Sequence, residues 1–417
     1  MKKIVIIGGG ITACVLAIFL KEKKYEVEIY EKSYQLGGIL NDYNFDNSKI
    51  FFKGIQYFDI ENKWFEKIKK FFFRDFEIFK HIYGSYTEIL KEKNFTFKFA
   101  APIFKKIYLK NLPSIKELKL NKKKTMYDRF SFYSPREKKF LLNIIKRHRL
   151  NPNLLNFVSP LSLQMDRIAY LQSTKEISNL KKKYILDDFY ALERARIFKE
   201  ELYASLPKKG FTIFFKKFEK LLKKKKIKIF LNAKVEPSWN KNNLKIKFNK
   251  KNISNDHIIW TGDPSKLIHE YSKKKLDSMY TRFIQVHSNI ESKFQNNIYI
   301  QVFSDKSNIS RIYLYNIDKI KKISLECIVH PVNAREILYE AKEILKNFKI
   351  FIKLDENTIR QKIDTRFNIL SIKDEKIIEN FLKKTKNSNL INGAWQHYAR
   401  DKKIHFYLEK LKEKNII

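Results

Sequence analysis

The hydrophobic pattern changes period along the chain and marks its elements. Lys3-Ile4-Val5-Ile6-Ile7 is a β-branched run of strand type, Gly8-Gly9-Gly10 interrupts it, and Ile11 to Lys23 reads as a helix. A second short strand, Val27 to Tyr30, follows and ends at Glu31. Residues 60–200 read mostly as helices rich in Phe, Lys and Leu, interrupted near Pro102, Pro113, Pro135, Pro152 and Pro160, with Phe71-Phe72-Phe73 as helix core. Phe211, Phe214, Phe215, Phe218, Leu221 and Leu222 recur at helical spacing after a Pro-Lys-Lys-Gly turn. Strands are expected at Ile227–Leu231 and at His257–Trp260, the latter running into Thr261-Gly262. From 280 to 330 the period drops to two, as in Arg282-Phe283-Ile284-Gln285-Val286-His287 and Arg311-Ile312-Tyr313-Leu314-Tyr315, which suits an antiparallel sheet. Leu390-Ile391-Asn392-Gly393-Ala394-Trp395 precedes a last helix, Lys402 to Lys412.

Glycine usage turns this pattern into chemistry. The chain has 10 glycines in 417 residues, and Gly8, Gly9, Gly10, Gly37, Gly38 and Gly54 all fall in its first 54. In a composition that disfavours glycine, they mark places where a side chain cannot fit. Gly8-x-Gly10-x-x-Ala13 sits between a strand and a helix, which lets backbone approach a pyrophosphate at the positive helix end. Glu31, about 20 residues on at the end of the second strand, can take both ribose hydroxyls. A second glycine pair, Gly37-Gly38, would pass the same pyrophosphate; this resembles the FAD-binding signature of the flavoenzyme group that includes amine oxidases and protoporphyrinogen oxidase.

Charge and cysteine content narrow the class. Lys+Arg 86 against Asp+Glu 45 gives +41, but runs such as Lys122-Lys123-Lys124, Lys181-Lys182-Lys183 and Lys223 to Lys226 are scattered, as on a solvated basic surface. Specific nucleic-acid binding is not expected, whereas a phosphorylated small molecule or an anionic membrane surface remains open as a partner. Lys2-Lys3 with apolar Ile4 to Leu20 has the charge and length of a secretory signal, but the three glycines split it. Two cysteines, Cys14 and Cys327, cannot staple a scaffold and suggest a reducing cytoplasm. The eight His are dispersed, no metal-ligand spacing appears, and His81 and His148 read as surface or packed imidazoles.

The order of motifs resembles the UDP-galactopyranose mutase family. Gly54-Ile55-Gln56-Tyr57-Phe58-Asp59 is similar to its Gly-x-His-x-Phe-His stretch, and Tyr203 to Thr212 to its Tyr-x-Gly-x-Pro-x-Gly-Gly-Tyr-Thr. Ile258-Ile259-Trp260-Thr261-Gly262 resembles Ile-Ile-Tyr-Thr-Gly, Ser310-Arg311-Ile312 resembles Thr-Arg-Ile, and Asn392 to Tyr398 lies where the family has Gly-Gly-Arg-x-x-x-Tyr. The resemblance implies FAD held by Gly8, Gly10, Thr12, Ala13, Glu31, Lys32, Gly37, Gly38, Gly54, Val235, Thr261, Gly262, Gly393 and Trp395. It implies a reduced flavin whose N5 attacks the anomeric carbon of a nucleotide sugar, with arginines holding the diphosphate that leaves. Arg311 is the first candidate for that role, with Arg194, Arg282 and Arg400 behind it. Gln56 and Asp59 replace both family histidines, Ala394 replaces an arginine, and Arg400 stands where a second tyrosine is expected. Leu161-Ser162-Leu163-Gln164-Met165 lies in the region of a uridine-stacking Gln-Trp stretch but carries no Trp.

The expected architecture is α/β: a Rossmann-like FAD-binding domain (1–60, 200–270 and 380–417), a helical insertion (61–199) and an antiparallel β-sheet substrate domain (271–379). The expected activity is interconversion of pyranose and furanose forms of a nucleotide sugar for surface polysaccharide. The rivals are an FAD-dependent oxidoreductase of the amine oxidase type, and a polyanion-binding protein on an old flavin fold.

Overall fold

A computed structural model describes residues 2–46, 49–54, 56–60, 62–105, 125–170, 189, 191, 203–241, 243–277, 279–328, 333–391, 393, 395 and 400–417. The first half contributes β1 (Lys3–Ile7), α1 (Ile11–Glu22), β2 (Glu26–Tyr30), α2 (Lys63–Phe72), β3 (Phe76–Lys80), β4 (Ile82–Ile89), β5 (Glu92–Thr96), α3 (Met126–Phe130) and α4 (Pro135–Arg147). Then come β6 (Tyr203–Pro207), α5 (Phe211–Lys224), β7 (Lys228–Phe230), β8 (His257–Trp260), β9 (Met279–Ser292), β10 (Ile298–Ser304), β11 (Ile309–Ile317) and β12 (Ile320–Ile328). The chain closes with α6 (Ala334–Asn347), β13 (Ile352–Leu354), β14 (Arg360–Ile369), α7 (Ile372–Lys384), β15 (Leu390–Ile391) and α8 (Arg400–Glu413).

A parallel five-stranded sheet runs β7-β2-β1-β8-β15 and draws on three separate stretches of chain. Val5, Ile6, Val27, Ile29, Ile258 and Ile259 are fully buried, as continuous apolar runs in a parallel sheet covered on both faces should be. The order reverses beside β1, so a crevice opens beyond the carboxyl ends of β1 and β8, where the glycines sit.

The second sheet runs β13-β9-β12-β11-β10-β4-β5, with β14 also paired to β9. One face is apolar: Ile284, Val286, Ile300, Val302, Ile312, Leu314, Ile323 and Leu325 pack under the Ile337, Leu338, Ala341, Ile344 and Leu345 stripe of α6. Burying each such aliphatic side chain contributes about 1.5–3 kcal/mol, enough to fix the register of every strand that carries one.

Two expectations change. The 61–199 stretch is not simply a helical insertion, because β4 and β5 extend the large sheet and β4 joins β10 in parallel. Alternation in Ile82–Ile89, with Ile82, Gly84 and Tyr86 on one face and Tyr83, Ser85 and Thr87 on the other, carries a strand period that the abundance of Phe and Lys obscured. Nor is Phe71-Phe72-Phe73 all core: Phe72 is buried, whereas Phe71 and Phe73 are 41% and 70% exposed. Among the described residues no helix is long and apolar enough to cross a membrane.

Candidate functional site

The first wall of the site is glycine backbone. Gly8 holds φ +104°, a conformation that favours glycine, and a Cβ there would meet the Thr261 hydroxyl at 2.6 Å and the Gly262 nitrogen at 3.3 Å. The Ile7 carbonyl accepts from both the backbone N–H and the hydroxyl of Thr261, each at 2.9 Å, which seals β1 to β8. Gly10 and Gly37 form a parallel bridge, and the Gly37 N–H donates to the Gly9 carbonyl at 2.8 Å, so both glycine segments lie side by side. A Cβ on Gly10 would enter open space, and one on Gly38 would meet nothing nearer than the Gly10 Cα at 3.7 Å.

Gly10 is the N-cap of α1 and offers no side chain, and the first turn, with half-buried Thr12 and buried Ala13, carries no acid. The N–H groups of that turn therefore present an uncompensated positive helix end. Glu31 is buried at the tip of β2 and accepts from the Gly9 N–H at 2.5 Å and the Ser33 N–H at 2.8 Å. Beside it, the Ala233 N–H donates to the Glu31 carbonyl at 2.8 Å, which brings buried Val235 to the same edge. Lys32 is exposed. These features fit an adenine dinucleotide: a cradle a side chain would fill, a helix end for its pyrophosphate and a carboxylate for its ribose.

A middle layer links this cradle to the large sheet. Asp42, just past Gly37-Gly38, accepts from the Thr212 N–H at 2.8 Å, and the Thr212 hydroxyl accepts from the Asp42 N–H at 3.0 Å, tying the loop to the start of α5. Gly210 sits at φ +84°, and a Cβ there would fall 2.6 Å from the Asp42 carboxylate. Burial pushes the Asp42 carboxyl up to about 7, against hydrogen bonds from the start of α5 that lower it, and its Oδ1 has no partner among the described residues. Phe52 stacks on Tyr315 at 4.4 Å and donates its N–H to the Tyr315 hydroxyl at 3.0 Å. Gly54, also at positive φ, leads into Gln56, whose side-chain oxygen accepts from the Arg400 guanidinium at 2.8 Å. Arg400 also donates to the Tyr57 carbonyl at 2.8 Å and lies over the Phe58 ring, so it binds this loop to the start of α8.

The second wall is the polar face of the large sheet. Cross-strand register aligns Gln285, Glu326, Arg311, Gln301 and Ser85 in one row across five strands. The next row is His287, Ser324, Tyr313, Tyr299 and Tyr83. All but Tyr83 are buried, so the polar half of the alternation faces protein rather than bulk water. Arg311 donates to Glu326 at 2.9 Å, to Gln301 at 3.0 Å and to the Ser162 carbonyl at 2.9 Å. Ser324 bridges His287 Nδ1 at 2.7 Å and the Tyr315 hydroxyl at 2.8 Å. Burial, reinforced by Lys322, lowers His287 to about 3, and burial brings Lys322 itself down to about 8. His148 packs on Phe283, and burial with Arg311 and Arg147 nearby lowers it to about 3.

The structure thus gathers Gly8, Gly10, Thr12, Glu31, Gly37, Gly38, Thr261 and Gly262 around one crevice, while Ala13 and Val235 pack into the hydrophobic cores beside it. Arg282 is exposed on β9, away from Arg311. Gly393 is at φ +113°, where a Cβ would press on Phe406 and Leu382, so tight helix packing accounts for that glycine. Trp395 lies 6.1 Å from Phe381, and its indole nitrogen has no partner among the described residues. Arg194 and Ala394 lie outside the described residues. Asp42, Gln285, Gln301, Glu326, His287 and Ser324 were not singled out from sequence, although the period-two alternation of β9 and β11 carried part of that signal.

Comparison with known proteins matches these two walls. Residues 6–73 match the family model of an NAD(P)-binding Rossmann-like domain, and residues 173–334 match that of UDP-galactopyranose mutase. Over that second stretch the chain is similar to UDP-galactopyranose mutase. A crystal structure of reduced UDP-galactopyranose mutase aligns over 99% of this chain and 94% of its own, with TM-score 0.67 and 13% identity. A putrescine oxidase redesigned in its cofactor binding aligns over 100% and 99%, with TM-score 0.55 and 10% identity. A Pyrococcus furiosus protein aligns over 99% and 98%, with TM-score 0.53 and 12% identity. At such identities the likeness is one of fold, shared by mutase and oxidase flavoproteins alike. No curated protein sequence matches.

Proposed function

We propose that this mutase-like chain is an FAD-dependent enzyme of the cytoplasm that interconverts pyranose and furanose forms of a nucleotide sugar for surface polysaccharide. The observation that carries the reading is the pair of buried polar rows on the large sheet. Most of its groups bond to one another, but Gln285 Oε1 and His287 Nε2 on that face have no partner among the described residues, which suits a ligand that brings hydroxyls. FAD in the glycine cradle would supply the nucleophile and the redox state for the ring exchange. The chain itself holds and orients: the α1 N-terminus and Gly10 receive the pyrophosphate, Glu31 the ribose, and the Gln56 loop with Arg400 borders the reacting end.

The leaving diphosphate is assigned to Arg311 or Arg400, the guanidinium groups nearest the polar rows and the Gln56 loop; Glu326 offsets the Arg311 charge, and Arg400 also holds the Gln56 side chain and the Tyr57 carbonyl. A second reading, an oxidoreductase, draws on that same offset and on Gln56 and Asp59 standing where the mutases have histidines. The test is anaerobic incubation of dithionite-reduced protein with UDP-galactopyranose, followed by anion-exchange chromatography. A new UDP-hexose peak that vanishes with oxidised flavin is expected. Absence of that peak, with peroxide formed from an organic substrate instead, would favour the oxidoreductase.

A further inference from the structure

The outer faces of α2 and α5 carry a feature that the site does not use. The two helices pack through Phe72 against Phe214 and Phe218, at 5.2 Å each, and bury Trp64, Phe65, Ile68, Phe211, Phe215 and Leu222. Opposite those stripes, residues 63–80 and 208–226 hold 15 Lys and Arg against 4 Asp and Glu, about twice the density of 86 in 417 for the whole chain. Two of the four acids are already engaged, Asp75 with Lys217 and Glu219 with Lys223. Set into this basic surface are exposed apolar side chains: Phe73 at 70%, Ile78 at 45% and Phe71 at 41%.

Two contacts tie α2 and the turn after it to the basic residues around α5. The Lys225 ammonium lies 4.6 Å over the Phe71 ring, and the Lys208 N–H donates to the Asp75 carbonyl at 2.9 Å. A groove lined by Lys63, Lys67, Lys70, Glu22, Glu66 and Phe71 lies along α2.

We infer that this face docks on a lipid bilayer rich in anionic headgroups. Positive charge alone would serve any polyanion, but Phe71, Phe73 and aliphatic Ile78 add water-exposed apolar side chains that an acyl boundary would cover. Long Lys stems lie along such a boundary with their ammonium groups at headgroup level, and each adds attraction to an anionic leaflet. Single-stranded nucleic acid would use the aromatic rings as stacking platforms but would leave Ile78 unmatched. The inference stands apart from the proposed reaction, since none of these side chains belongs to the cofactor crevice.

The test is sedimentation of the full chain with vesicles of phosphatidylcholine, alone or mixed with phosphatidylserine. Three variants accompany it: Phe71→Ser with Phe73→Ser; Lys70→Glu, Arg74→Glu and Lys224→Glu; and a distant reversal, Lys274→Glu, Lys349→Glu and Lys376→Glu. All of these positions are exposed, so the fold should survive, as far-ultraviolet circular dichroism would check. Binding only to phosphatidylserine vesicles is expected, about tenfold weaker in the first two variants and unchanged in the third. Equal loss in the distant reversal would overturn the inference in favour of diffuse charge. Native-strength vesicle binding after both Phe replacements, or single-stranded DNA binding that those replacements weaken while vesicle binding stays absent, would overturn it as well.

Discussion

Arg311 shows why a residue's identity and its use differ. The resemblance makes it a candidate ligand for a diphosphate, and in the fold it is buried in a row with Glu326 and Gln301. Removing one member of a buried ion pair strands the other charge and costs about 3–5 kcal/mol, while replacing both costs far less. Urea denaturation of Arg311→Met should show a loss of that size, largely restored in Arg311→Met with Glu326→Gln. Equal stability of the single and double variants would mean that Glu326 is not the partner that matters. Asp42 adds a pH dependence. Its carboxyl titrates near 7 in the fold, above the ordinary range, so the fold favours the protonated form and that contribution is lost as pH rises toward 7. Relative to the native chain, Asp42→Asn should be about 2 kcal/mol more favourable at pH 7 than at pH 5, measured by denaturation at both values. A pH-independent difference would contradict the burial argument. Neither partner was legible in advance, because Glu326 and Thr212 reach their places through strand register and a helix start distant in sequence.

At the scale of elements, the glycines were the most legible part. Their spacing marked the turn between β1 and α1, and the same positions prove to be the closest backbone approaches. Gly8 and Gly10 nevertheless differ in kind. An alanine at Gly8 meets both a strained φ and Thr261, so it should cost roughly 1–3 kcal/mol of stability. A valine at Gly10, where φ is −72° and the Cβ direction is open, should leave thermal stability nearly unchanged. Calorimetry of the two variants checks this, and equal destabilisation would contradict the geometry. Alternation likewise announced β9 and β11, but not that both faces would be covered. A period of two gives two faces without saying which neighbour closes over the polar one. β4 and β5 were missed because composition suggested helix, and β4 finds its parallel partner, β10, in a segment some 200 residues away in sequence.

At the scale of the whole molecule, one parallel sheet carries the glycine crevice, a mixed sheet carries the polar rows, and the loop from Gly37 to Asp59 runs between them. The order of motifs along the sequence points to this arrangement even where single residues depart from the pattern it resembles, which is why the fold was readable and the reaction less so. Charge shows the opposite: +41 reads as a uniform property of the chain, and only folding brings the α2 and α5 lysines together with Phe71 and Phe73. The central claim is that the crevice at Gly10 holds a flavin against the polar sheet. The most direct measurement is titration of FAD into the purified native protein and into Gly10→Val, followed by visible absorption and flavin fluorescence. The native chain should bind one FAD per chain and the variant, folded to the same extent, at least about tenfold more weakly, because its side chain fills the cradle. Native protein that binds no FAD, or a variant that binds it equally well, would contradict the claim.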